Sequence, residues 1–236
     1  FARNTGLPVE LIADEARVGE DALAERLRRS VIGQDAACAA AGRVLARFKA
    51  GLDDPERPCG TLLFVGPTGV GKTELARAVA TYLYSDPSRM VRLDMSEYMF
   101  PGSAQRLLAA GSGVTSLAQQ VRAQPLSLVL LDEIEKAHPE VFDLLLGVLG
   151  EGRLTDAFGS VVDFRMTVIV MTSNLGVTDA QAAGFDPRVD AAQSLERAVR
   201  RHFRPEFFNR IDQVVPFRAL GPEDVARIVD LELTKA

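Results

Sequence analysis

The sequence predicts an α/β fold, a mainly parallel sheet covered on both faces by helices. Two observations carry this. Short apolar runs alternate with segments of helical pattern along most of the chain. The first run, Thr61-Leu62-Leu63-Phe64-Val65, stops at a turn with glycines at 66, 69 and 71. Parallel strands need long crossovers, usually helical, and strands buried on both faces read as unbroken apolar runs.

Taken in order, residues 19–29 and 34–51 have a helical pattern, which Asp53-Asp54-Pro55-Glu56-Arg57-Pro58 breaks with turn formers. The run 61–65 has strand length and leads through its glycine turn into helical residues from Lys72 to about Tyr84. Further strands are expected at 90–93, 127–131, 167–171 and 213–217, with helices at 139–149 and 190–203 among the connections. Residues 152–164 are polar and carry Val161 and Val162 beside a Phe158-Gly159 turn, which reads as a hairpin inserted before a core strand. Gly221-Pro222-Glu223-Asp224 opens a last helix running to Ala236.

Composition narrows the function classes. The 236 residues are 47% hydrophobic and 25% charged, enough apolar material for a sizeable core, which excludes disorder as the main state. The 27 Lys and Arg against 32 Asp and Glu give a net charge of −5, which argues against a nucleic-acid partner held through its phosphates. Cys38 and Cys59 are too few for a disulfide framework and read as small packing residues, reduced in a cytoplasmic setting. The longest apolar stretch, 126–131, falls far short of the ~20 residues of a membrane-spanning helix. The start, Phe1-Ala2-Arg3-Asn4, has neither an initiator Met nor signal-peptide character, and suggests a piece of a longer protein.

The strongest chemical signal is Gly66-Pro67-Thr68-Gly69-Val70-Gly71-Lys72-Thr73, which matches G-x-x-x-x-G-K-[ST] between an expected strand and an expected helix. Glycines let backbone N–H groups turn inward around phosphate oxygens, and the following helix adds its positive end. Lys72 would reach the β- and γ-phosphates, and the Thr73 hydroxyl would ligate Mg²⁺. A structural glycine turn is the bland alternative.

Next comes Leu128-Val129-Leu130-Leu131-Asp132-Glu133, an apolar strand ending in two carboxylates whose side chains diverge. Asp132 can hold the Mg²⁺ shell while Glu133 orients and deprotonates a water, unless the pair merely begins a solvated loop. Asn174, directly after the run 168–171 and Thr172-Ser173, could cap a turn, or it could bond the water or the γ-phosphate. Arg210, in Phe203-Arg204-Pro205-Glu206-Phe207-Phe208-Asn209-Arg210-Ile211-Asp212, lies where a subunit edge is expected and could be an arginine finger. On spacing alone, an ion pair with Asp212 or Glu206 is the favoured reading of it. His138 and His202 are too far apart to suggest a paired metal site, and Arg197, Arg200, Arg201 and Arg204 read as a solvated helix face or a subunit contact.

Together these segments resemble the ATPase module of the Clp-type AAA+ unfoldases and disaggregases, most closely their second module. Besides the phosphate loop, the resemblance rests on Val31-Ile32-Gly33-Gln34, Asp94-Met95-Ser96-Glu97-Tyr98, LDEIEKAH at 131–138, GRLTD at 152–156, MTSNLG at 171–176 and RPEFFNRID at 204–212. Residues 4–9 look like the linker entering that module. The resemblance implies a P-loop NTPase fold with a five-stranded parallel sheet, a homo-hexameric ring, ATP hydrolysis and the remodelling of protein substrates. It leaves a partner protease open. It also implies that Val31 and Ile32 pack on the adenine of ATP or ADP, that Asn174 is sensor 1, and that Arg210 acts in trans. The domain division expected is a linker and entry helix at 1–30, a large nucleotide-binding subdomain at 31–218, and the start of a helical small subdomain at 219–236.

Two departures stand out. Where the family carries an aromatic pore loop, residues 107–116 read Leu-Leu-Ala-Ala-Gly-Ser-Gly-Val-Thr-Ser, shorter and without an aromatic. An alternative reading follows, an ATP-switched assembly module that does not thread polypeptide. The small subdomain is also incomplete, so this fragment alone is expected to hydrolyse ATP weakly.

Overall fold

The computed structural model describes residues 20–52, 54–109, 115–177 and 191–235. The linker at 4–9 and the centre of the 107–116 stretch lie outside them. Two helices, α1 (Glu20–Arg28) and α2 (Asp35–Lys49), precede strand β1 (Gly60–Val65). Helix α3 (Lys72–Tyr84) and strand β2 (Met90–Asp94) follow, then two short helices, α4 (Gln105–Leu108) and α5 (Leu117–Ala123). Strand β3 (Leu128–Asp132), helix α6 (Pro139–Glu151), a hairpin of β4 (Arg153–Thr155) and β5 (Val161–Asp163), and strand β6 (Val168–Ser173) come next. The chain closes with α7 (Ala191–His202), α8 (Pro205–Phe208), β7 (Gln213–Pro216) and α9 (Pro222–Lys235).

Five strands form one sheet in the order β2-β3-β6-β1-β7, every neighbouring pair parallel. The sheet is buried on both faces, and the period of two along each strand sorts its side chains. Leu63, Val65, Val129, Leu131, Ile169 and Met171 pack on one side with residues of α5, α6 and α7. Leu62, Phe64, Leu128, Leu130, Val168 and Val170 pack on the other with residues of α1, α2 and α3. Both layers are almost wholly excluded from water, and the burial of such side chains is worth about 1.5–3 kcal/mol each.

The expected hairpin forms, with Arg153 opposite Asp163 and Thr155 opposite Val161. The Asp156 side chain organises its turn by accepting from the Phe158 and Ser160 N–H groups, and Arg122 of α5 pins it at 2.7 Å. Helices α4 and α5 carry no clear signal in the sequence because each offers only one or two turns of pattern. They bury Leu107, Leu117 and Val121 in the core and so anchor both flanks of the 107–116 stretch.

The topology positions the site. Strand β1 lies between β6 and β7, and β3 lies beyond β6, so the loops leaving β1, β3 and β6 emerge side by side at the carboxyl edge of the sheet. In open parallel sheets that edge is where ligands bind.

Candidate active site

The residues at that edge are set by register. Val65 pairs with Ser173, and Leu131 with Met171, so the chain after β1, the end of β3 and the end of β6 are level. The glycine loop leaves β1 directly. Gly69 and Gly71 have φ of +78° and +102°, which side chains rarely tolerate, and the second begins α3. No side chain caps the start of this 13-residue helix, so its first N–H groups are left for a ligand. Around it opens a cleft of about 490 Å³, lined by Gly69, Lys72, Thr73, Arg92, Asp132, Glu133 and Asn174 among others.

Lys72 is buried and bent back over its own loop. Its Nζ donates to the Gly66 carbonyl at 2.5 Å, the Pro67 carbonyl at 2.9 Å and Asn174 Oδ1 at 2.6 Å. Burial pushes its pKa down to about 8, against the pull of the Glu135, Asp132 and Glu133 carboxylates. A bound phosphate favours the charged form and raises that value again. Any phosphate affinity that rests on the charged Lys72 is therefore expected to be fully present below about pH 8 and to fall as pH rises through it. Binding of magnesium-free ADP near pH 8 is expected to take up a fraction of a proton. Calorimetry in buffers of different ionisation heat measures this, and a buffer-independent heat would contradict it.

Asp132 and Glu133 end β3 in different settings. Asp132 Oδ2 accepts from Arg92 Nε at 3.0 Å and Nη2 at 2.6 Å, while its Oδ1 accepts from Thr172 Oγ1 at 2.6 Å. Thr172 also accepts from the Glu133 N–H at 3.1 Å, so one hydroxyl on β6 ties both acids together. Glu133 turns the chain in the left-handed region, φ 54° and ψ 51°, at a cost of about 1–2 kcal/mol. Its side chain is 32% exposed in the cleft and accepts from Asn174 Nδ2 at 3.3 Å and Lys136 Nζ at 2.6 Å. The Asn174 N–H in turn donates to Glu135 Oε1 at 3.0 Å.

The structure thus brings Lys72, Thr73, Asp132, Glu133 and Asn174 around one cleft. Val31 and Ile32 line a second cleft of about 240 Å³ on the far side of the loop, with Gly69, Val70, Gly71, Leu220, Ile228 and Leu231. Arg210 lines neither. It is exposed, with its guanidinium carbon 3.2 Å from where a Cβ on Gly150 would sit. The ion pair that spacing favoured for it is not formed. Asp212 instead accepts from the Thr61 N–H at 2.7 Å and faces Arg57 at 3.8 Å, and among the described residues Arg210 has no ion pair. The basic cluster around α7 is a surface face: Arg200 pairs with Glu196 and lies over Phe208, and Arg204 pairs with Asp143.

Sequence reasoning missed Arg92, Thr172, Glu135 and Lys136 as members of the site. Each lies within a quoted motif or beside one, but nothing local marks what it touches. The donor set fits a hard cation. Thr73 and Asp132 offer oxygen only, and among the described residues no group of three or more His, Cys, Asp or Glu could cage a metal. Mg²⁺ suits such a site, because it takes one or two protein oxygens and completes its shell with substrate phosphates and water.

Comparisons with known proteins agree with this fold. The family model described as AAA domain (Cdc48 subfamily) matches residues 57–214. The chain is 49% identical over 235 residues to the chaperone protein ClpB of Pseudomonas putida, covering 97% of this chain and 27% of that protein. The figure for ClpB of Agrobacterium fabrum is 46% over 242 residues, 99% of this chain and 28% of that protein. A solved structure of the S. cerevisiae Hsp104-ADP complex matches with a TM-score of 0.84 at 34% identity, covering 99% of this chain and 42% of that one. The chain thus spans little more than a quarter of the length of these curated relatives. With a five-stranded parallel sheet and a phosphate loop at its carboxyl edge, the chain belongs to the AAA domain family of the Cdc48 subfamily, as a nucleotide-binding Clp-type AAA+ module.

Proposed function

We propose that this module binds ATP with Mg²⁺ and hydrolyses it to ADP and phosphate, as the motor of a chaperone that remodels, unfolds or disaggregates proteins. The observation that carries this reading is the convergence of Lys72, Asp132, Glu133 and Asn174, from three separate strand ends, on one cleft. The backbone from Gly66 to Thr73, with Pro67, Thr68 and Val70 among it, wraps the phosphates, and Val31 and Ile32 take the adenine. Thr73 and Asp132 would hold Mg²⁺. When bound, the ion neutralises phosphate charge.

Lys72 is poised to exchange its carbonyl partners for phosphate oxygens. Glu133 takes a proton from the attacking water as its oxygen bonds to the γ-phosphorus and the bond to the ADP oxygen breaks. Asn174, hydrogen-bonded to both Lys72 and Glu133, orients the water between them. Arg210, on the surface away from this cleft, serves the cleft of a neighbouring copy, and similarity to the ClpB proteins and Hsp104 supports a homo-hexameric ring for that arrangement. Residues 1–30 act as linker and entry helix, 31–218 as the large subdomain, and 219–236 as the start of the small one. Similarity to the ClpB proteins and Hsp104 supports protein substrates and a cytoplasmic setting. No described helix is long and apolar enough to cross a membrane.

Phosphate release from ATP by the full-length chain tests the reading. Release that requires Mg²⁺ and vanishes in Lys72→Ala supports it. Release indifferent to that substitution sinks it.

A further inference from the structure

The cleft assigned to the base has two walls that are distant in sequence. Val31 and Ile32 form one, while Leu220, Ile228 and Leu231 at and beyond the entrance to α9 form the other. The phosphate loop lies at its base, through Gly69, Val70 and Gly71. A slot of this kind accepts a flat ring only if the spacing of its walls is held.

One buried polar side chain spans the parts. Gln34 is 3% exposed. Its Nε2 donates to the Val70 carbonyl at 3.1 Å and the Arg218 carbonyl at 2.9 Å, and its Oε1 accepts from the Arg218 N–H at 3.2 Å. Both amide donors are used, so the side chain is locked in one orientation. From Arg218 the connection continues into α9. The Arg218 guanidinium donates to Asp224 at 2.8 and 3.1 Å, and Asp224 Oδ2 also accepts from the Gly221 N–H at 2.9 Å. Gly33 makes room for this. A Cβ there would sit 2.7 Å from the Asp224 carboxyl carbon, and its φ of +76° disfavours any side chain.

We propose that Gln34 is the positioning residue of the base slot: it ties Val70 of the phosphate loop to Arg218 at the entrance to α9, and so holds the slot at the width of a planar nucleobase. The proposal rests on the nucleotide reading above and deepens it. Removing the amide leaves the buried Val70 carbonyl and the part-buried Arg218 carbonyl and N–H without partners, and such groups are expensive unless the chain moves to hydrate them. The movement open to the chain is separation of the 218–221 segment and α9 from the loop. Phosphate contacts depend on this bridge far less than the base slot does, because the Lys72 side chain is anchored on the Gly66 and Pro67 carbonyls and on Asn174 Oδ1, none of which Gln34 touches.

The test compares a ligand with a base and one without. The full-length chain is titrated calorimetrically with ADP and with inorganic tripolyphosphate, as wild type, Gln34→Leu and Asp224→Ala. ADP affinity is expected to fall at least about tenfold in both variants, while tripolyphosphate affinity stays within about twofold. A merely structural role would weaken both ligands alike. Equal loss of both, or unchanged ADP affinity, overturns the proposal. Should Gln34→Leu fail to fold, Asp224→Ala decides by the same criterion, since it opens the far end of the bridge without touching the loop. A wild type that binds neither ligand fails the nucleotide reading itself, and the proposal with it.

Discussion

Replacing Glu133 with Gln is expected to lower ATP turnover by about 10²–10⁴-fold while leaving nucleotide affinity within about twofold. The substitution keeps the shape of the side chain and removes its negative charge, and with it the ability to take a proton. Backbone geometry at this position does not depend on the carboxylate, because the Glu133 N–H is held by Thr172 Oγ1. Nor is the phosphate cradle touched, since Lys72 is held by Gly66, Pro67 and Asn174. The carboxylate does accept from Lys136 and Asn174, so an amide must reorganise two contacts at the mouth of the cleft. Phosphate release and ADP titration on the same preparation separate the effects. Loss of both together would make Glu133 a structural residue.

The second large effect is expected at Arg210. Arg210→Ala should reduce turnover by about 10³-fold or more, the usual worth of an arginine that neutralises charge on a transferring phosphoryl group. Stability should hardly change, because the side chain is exposed and has no ion pair among the described residues. The proposed action in trans has a sharper consequence. Arg210→Ala subunits lack the finger but keep their own Glu133, and Glu133→Gln subunits lack the base but keep the finger. Mixed rings should therefore recover turnover that neither variant has alone. Mixing that recovers nothing would remove the role in trans. A fall in unfolding temperature with normal turnover would return Arg210 to a purely structural place.

How much of this was legible beforehand varies with the range of the interaction. Strands β1, β2, β3 and β6 lie within one or two residues of the expected runs, and α3 spans the residues expected for it. Apolar runs of strand length and the glycine turn after Val65 are local signals, and a sheet buried on both faces makes them plain. Helices α4 and α5 escaped because so short a segment has no period to read. Arg210 was misjudged on spacing for a different reason. Asp212 is two residues away in sequence, but β7 enters the sheet there, and its carboxylate turns to the Thr61 N–H at the start of β1.

The candidate site divides along the same line. Glycines, a lysine and a threonine in a fixed order, and two acids at a strand end, carry their chemistry with them wherever the chain goes, so the sequence alone determined the phosphate loop and the acid pair. It did not determine that Thr172 bonds Asp132 and the Glu133 backbone, that Arg92 clamps Asp132, or that Gln34 bridges Val70 to Arg218. These contacts join positions between 36 and 184 residues apart. Only the register of neighbouring parallel strands and the packing of α9 beside the loop bring them within hydrogen-bond reach, because a side chain's own identity states what it can bond to but not what will be there.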